Sequence, residues 1–280
     1  MDSDERTREA RERAEEALVR FGLLAGEHAG DFVVIGGLNP DYLAPSAPVP
    51  HQGTTDIDLL FALGFDDIAS APDFAWIDAA LKTAGFVSAN KWRWDARLGN
   101  AGVRLEFLCD VWDHTADTVP LPGSQSAVAS KLAGPAAALF APIVREIPVP
   151  AAVLEDFTDA PQTLSLRFAN LGGYLLAKAA AAQSRRLAKD KYDLMYVVLF
   201  NEGGPAAAAR AVSNQLEAAV EAADPADIRA SMTSYLDASS PWAQTFARTM
   251  IDTGDPSSEQ QLRTDAAIAA RNFLDELAPE

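Results

Sequence analysis

One cysteine, three histidines, and 23 lysines and arginines set against 40 aspartates and glutamates leave several kinds of chemistry short of material. Cys109 alone cannot form an internal disulfide, and within an apolar stretch it reads as a small buried side chain. His28, His51 and His114 share no ligand-like spacing, so no structural zinc site is expected. His51 lies in a loop with no partner visible in the sequence and is expected to face solvent. The net charge of −17 argues against a broad basic nucleic-acid surface, leaving at most a local basic cleft. No apolar run is long enough to span a bilayer, and the opening segment, residues 1–16, is charged and helix-forming, unlike a signal peptide. No membrane partner and a cytoplasmic location are therefore expected.

What is present is a chain of 280 residues, about half of them hydrophobic at 49%, enough for a large core and for two domains. The apolar run Phe32-Val33-Val34-Ile35 ends in Gly36-Gly37, and Thr54-Thr55-Asp56-Ile57-Asp58-Leu59-Leu60 follows later. In a strand, residues two apart share a face, so Asp56 and Asp58 project together while Ile57 and Leu59 enter the core. Two neighbouring carboxylates repel unless a cation or a proton relieves them, and Mg²⁺ favours oxygen ligands together with substrate phosphates. The glycine pair lets the backbone approach a ligand and can offer N–H groups to phosphate oxygens. In Val103 to Asp110 the same alternation puts Arg104, Glu106, Leu108 and Asp110 on one face. Glu106 lies mid-strand among apolar residues, where a charge has to be paired or coordinated. It is preferred to Asp110, at the strand end, as the third carboxylate.

Asp4 to Leu24 reads as an amphipathic first helix and Phe74 to Gly85 as another. The proline-rich segment between Gly37 and Asp56 reads as a long loop overhanging the carboxylates. Phe86 to Trp94 and Val103 to Asp110 read as hairpin arms joined by Gly99-Asn100-Ala101-Gly102, and Val144 to Val149 as an edge strand. From about Leu164 the chain reads as helical, broken at Gly203-Gly204-Pro205 and near Thr253-Gly254-Asp255-Pro256. If one helix runs on through this region, Lys178, Arg185 and Lys189 share a narrow stripe with Asp193 at its edge. Such a stripe is either a solvated face or a set of phosphate contacts, with Asp193 orienting them or acting as a base.

The order Gly36-Gly37, Asp56-Ile57-Asp58, Glu106 resembles the signature of the polymerase-beta-like nucleotidyltransferases. Lys178, Arg185, Lys189-Asp190 and Tyr192-Asp193-Leu194 resemble the later motifs of the AbiEii-type family, toxins of bacterial type IV toxin-antitoxin systems. The chain departs from that pattern at Gln52, where many relatives carry arginine, in its long gap from Gly37 to Asp56, and in a glutamate at 106. The resemblance implies an α+β fold: a mixed β-sheet flanked by helices over residues 1–160, then a mainly helical domain over 161–280 completing the cleft. It implies a Mg²⁺-dependent enzyme moving a nucleotide from an NTP to a hydroxyl of RNA or protein, with a cognate antitoxin as a partner. Asp56, Asp58 and Glu106 would be catalytic and hold the metal. Gly36, Gly37, Thr54, Thr55, Lys178, Arg185, Lys189 and Asp193 would bind the nucleotide. A small-molecule acceptor, or a catalytically silent protein-interaction module, are the alternatives.

Overall fold

A computed structural model describes residues 6–63, 73–99, 101–111, 115–219 and 224–277. The start of the expected first helix, Asn100 of the expected turn, and His114 lie outside the described residues. The protein is a mixed α/β structure in which helices flank a mixed sheet. Its strands are β1 (Phe32–Ile35), β2 (Asp56–Phe61), β3 (Val87–Ser88), β4 (Arg93–Leu98), β5 (Ala101–Cys109), β6 (Thr118–Pro120), β7 (Val128–Lys131), β8 (Ile143–Pro148) and β9 (Thr163–Phe168). Its α-helices are α1 (Arg8–Ala25), α2 (Pro40–Leu43), α3 (Trp76–Thr83), α4 (Ala151–Asp156), α5 (Leu171–Arg185), α6 (Ala188–Phe200), α7 (Gly204–Ala218), α8 (Pro225–Thr233), α9 (Pro241–Asp252) and α10 (Glu259–Glu276).

The chain divides into two compact units, one of residues 6–38, 53–133 and 142–168, the other of 39–52, 134–141 and 169–277 among the described residues. The helical unit thus combines the chain from Ala169 onward with two earlier segments.

In the first unit the sheet runs β3-β4-β5-β2-β1-β9-β8, with β7 pairing the end of β5 beyond β4 and β6 pairing β7. β2 lies parallel to β5 and antiparallel to β1, and β1 lies parallel to β9. Alternation sorts the faces. Ile57, Leu59 and Phe61 of β2, Leu105 and Phe107 of β5, and Phe32 and Val34 of β1 fall on one side by register, all buried. Helix α1, capped by the Thr7 hydroxyl accepting from the Ala10 N–H at 3.1 Å, covers that side through Ala14, Ala17, Leu18 and Phe21. Phe21 meets Phe32 and Phe107 at ring separations of 6.0 and 6.1 Å. Asp56, Asp58, Arg104 and Glu106 are left on the opposite face.

Three expectations are corrected. Thr163–Phe168 is a strand, not the start of the helical region: Leu164, Leu166 and Phe168 alternate with polar residues. The hairpin turn is the tight one, since Leu98 pairs Ala101, and the long arm is Arg93–Leu98 with only Val87–Ser88 on its far side. The proline-rich loop contains the short helix α2 and belongs to the helical unit. The edge position of β8 and the first helix are as the sequence implies.

The second unit is built mainly of α5 to α10. Side-chain oxygens of Asn170, Asp224, Ser240 and Ser258 cap α5, α8, α9 and α10. Between α5 and α6 the chain turns at Arg186, whose φ of +57° ends the helix, so the continuous helix assumed for the basic stripe does not exist. The expected breaks near 203–205 and 253–256 fall between α6 and α7 and between α9 and α10.

Candidate functional site

The first unit holds the carboxylates. Across β4, β5 and β2 the register lays out two rows: Asp95, Arg104, Asp56 and, next to it, Arg93, Glu106, Asp58. Opposite charges therefore alternate over most of the patch, as cross-strand pairs prefer. Arg93 Nε donates to Glu106 Oε1 at 2.8 Å, Nη2 lies 2.8 Å from the same oxygen, and the guanidinium lies 4.7 Å from the Trp92 ring centroid. Arg104 Nη1 donates to Asp56 Oδ1 at 3.3 Å, and its Nε is 3.6 Å from Asp95.

Gly36 follows Ile35, the residue paired with Asp58. Its φ is +78°, and a Cβ there would come within 1.8 Å of Asp58 Oδ2. A Cβ on Gly37 would stand 2.6 Å from the Thr54 Cβ and Oγ1. The space that the two glycines leave is filled by the protein's own Asp58 and Thr54. Thr54 Oγ1 accepts from the Asp56 N–H at 3.0 Å, and Thr55 Oγ1 donates to Asp56 Oδ1 at 3.3 Å. Both threonines are buried and serve to fix Asp56 at the start of β2.

Burial pushes the Glu106 carboxyl above its ordinary value; Arg93 pulls against that shift, and the Asp56 charge adds to it. A group whose folded value is raised contributes its stability below the unfolded value, near 4.5, and loses it as pH rises through the folded one. Glu106→Gln should therefore melt higher than wild type at neutral pH, and the gap should narrow as pH falls toward the ordinary glutamate range. Scanning calorimetry of both proteins across that range checks this. An unchanged gap would mean that Glu106 is not strained by its surroundings.

Among the described residues, no three histidine, cysteine, aspartate or glutamate side chains stand together as a group ready to hold a metal ion. The donors of the carboxylate face nevertheless suit a hard divalent ion in kind, since all are oxygens and a positive charge is what the burial of Glu106 beside Asp56 calls for. Arg93 and Arg104 supply that charge in the structure.

The second unit brings together a different set. Lys178 on α5 donates to Asp193 Oδ2 at 2.7 Å and to Asp190 Oδ1 at 3.4 Å, both on α6, and Arg185 Nη2 donates to Asp190 Oδ1 at 2.9 Å. Asp193 Oδ1 is also 2.9 Å from His51 Nε2. His51 is fully buried, stacked on Tyr192 at 5.1 Å and edge-on to Tyr196 at 5.0 Å, so its expected exposure is corrected. The stacking is continued by hydrogen bonds: the Gln52 N–H donates to the Tyr192 hydroxyl, and the Tyr196 hydroxyl donates to the Val49 carbonyl. Residues 49–52 are thus fastened to one face of α6. Lys178 and Asp193 face each other across two helices and are buried, and Lys189 lies half-buried in the first turn of α6.

Sequence reasoning missed Arg93 and Arg104 as partners of the carboxylates, Asp190 as the second acid on Lys178, and the burial of His51. Only the first left a usable signal, in the hairpin register. Compared with known proteins, the chain matches no family model, no curated protein and no solved structure.

Proposed function

We propose that the protein is a Mg²⁺-dependent nucleotidyltransferase that moves a nucleotide from an NTP to an acceptor hydroxyl. The observation that carries this reading is the register of Asp58 with Glu106 on adjacent parallel strands, two residues along β2 from Asp56, beside the Gly36 turn. Asp56, Asp58 and Glu106 would hold the divalent ion, which when bound neutralises the triphosphate and favours departure of pyrophosphate. Glu106, pushed toward higher basicity by burial, takes the proton of the acceptor hydroxyl as the new oxygen–phosphorus bond forms and the bond to pyrophosphate breaks. The Gly36-Gly37 turn keeps Asp58 against the backbone. Nucleotide binding by Lys178, Arg185 and Lys189, with Asp193 orienting them or acting as a base, rests on the AbiEii-type resemblance, as do a toxin role, an antitoxin partner, and RNA or protein as acceptor.

The test is transfer of label from each α-³²P NTP into RNA, protein and small-solute fractions. Wild type should label one fraction only when Mg²⁺ is present, and Asp58→Asn should lose at least about a hundredfold of that rate, the scale of a lost charge-stabilising group. Undiminished transfer by Asp58→Asn would sink the assignment.

A second reading is favoured by one observation. Asp56 and Glu106 already have guanidinium partners, as they would in a silent relative that keeps the fold to bind another protein. Binding of no NTP by the wild type would support it.

A further inference from the structure

The carboxylate face carries two arginines in unlike situations. Arg104 stands in the middle of its row between Asp56 and Asp95, at 3.3 and 3.6 Å, and is held from both sides. Arg93 stands on β4, with Glu106 on one side of it and its guanidinium laid against the Trp92 ring. Its one hydrogen bond to Glu106, from Nε, and its closest ion-pair contact, from Nη2, converge on a single oxygen, Glu106 Oε1. Its side chain is 35% exposed, against 13% for Glu106, so it is the more open of the two to solvent. An aromatic face holds a guanidinium without fixing the direction of its N–H groups. Arg93 is therefore placed to change partner while keeping its support.

We propose that Arg93 is an exchangeable counter-ion of the carboxylate face, neutralising Glu106 in the structure and turning to the phosphate oxygens of a nucleoside triphosphate once Glu106 gains a divalent cation. This rests on the nucleotidyltransferase reading above. A carboxylate partly buried next to Asp56 needs a positive neighbour, and a divalent ion meets that need better than a guanidinium. The released guanidinium then has a planar fork suited to phosphate, the anion that arrives with the ion. Arg93 thus binds substrate in one state and suppresses cation binding in the other.

Two equilibria read this with opposite signs, and neither needs turnover. Binding of Mn²⁺ alone is followed by electron paramagnetic resonance, and binding of each of the four ribonucleoside triphosphates with Mg²⁺ by calorimetry. Arg93→Gln should bind Mn²⁺ severalfold more tightly than wild type, because Glu106 is freed. It should bind the preferred NTP about tenfold or more weakly, the effect of losing one charge-assisted hydrogen bond. Arg93→Lys keeps the charge but not the fork, so its Mn²⁺ affinity should stay near wild type while its NTP affinity falls; it also replaces the glutamine variant should that fail to fold. If wild type binds an NTP and Arg93→Gln binds it equally well, or if the Mn²⁺ affinity of Arg93→Gln does not rise, the proposal falls and the functional reading survives. If wild type binds neither Mn²⁺ nor any NTP, the functional reading falls and takes the proposal with it.

Discussion

Lys178→Ala is expected to cost the protein about 3–5 kcal/mol of unfolding free energy, the range for breaking a buried ion pair from one side. The ammonium bonds Asp193 and Asp190, which are 1% and 0% exposed. Without it Asp193 keeps its contact with His51, and Asp190 keeps that with Arg185, but two carboxylates share less positive charge in a medium that solvates them poorly. Urea unfolding should show a lower midpoint with an unchanged slope, because the loss is of stability and not of compactness. Adding Asp193→Asn to Lys178→Ala should restore part of the loss, since the second change removes the charge that the first leaves stranded. A cost under about 1 kcal/mol, in the range of an exposed pair, would show that the cluster is open to water.

The two charged groups of the molecule differ in what the sequence reveals of them. The carboxylate face was largely legible. Period-two alternation in Asp56-Ile57-Asp58 and in Arg104-Leu105-Glu106 fixes which side chains leave the core, and the strands follow that pattern there, while farther on Leu108 is buried with its neighbours. What escaped was the partner strand. A four-residue turn at 99–102 would pair Leu98 with Val103 and so set Asp95 against Glu106. The actual turn pairs Leu98 with Ala101 and sets Arg93 there instead. A shift of two residues on one arm changed a carboxylate pair into an ion pair. β9 escaped for another reason: its six residues lie just before the alanine-rich helices, and their alternation is short enough to be read into the helical pattern.

The buried cluster of the helical unit was hardly legible. Lys178, Arg185, Lys189 and Asp193 lie at spacings that a single helix would align, but a φ of +57° at Arg186 folds the segment back. Lys178 then meets Asp193 and Asp190, and Arg185 meets Asp190, across α5 and α6. His51 joins them from 142 positions away along the chain, a contact that no local pattern announces. Composition does not announce these pairs either: in a chain of net charge −17 nothing local shows that Lys178 bonds the acids of α6.

Gly36→Ala is expected to injure both the fold and the carboxylate face. Its φ of +78° costs an L residue about 1–2 kcal/mol. The added methyl would meet Asp58 Oδ2 at 1.8 Å, Cγ at 2.7 Å and Cβ at 3.0 Å, so rotating the carboxylate cannot relieve the contact and the short side chain has to shift as a whole. Overpacking of that kind costs about 1–3 kcal/mol more. Asp58 would leave the row it forms with Glu106, and NTP binding should fall toward the level of Asp58→Asn. Gly30→Ala is the control: a Cβ there meets nothing within 4 Å, so its stability should stay within about 0.5 kcal/mol of wild type. Melting temperature and Mg²⁺-dependent NTP binding, measured on the two variants together, separate the outcomes. Lost stability with NTP binding retained would mean that Asp58 can move without harm, and hence that its place against the Gly36 turn is a matter of packing; loss of both ties the glycine to the chemistry proposed for the carboxylates.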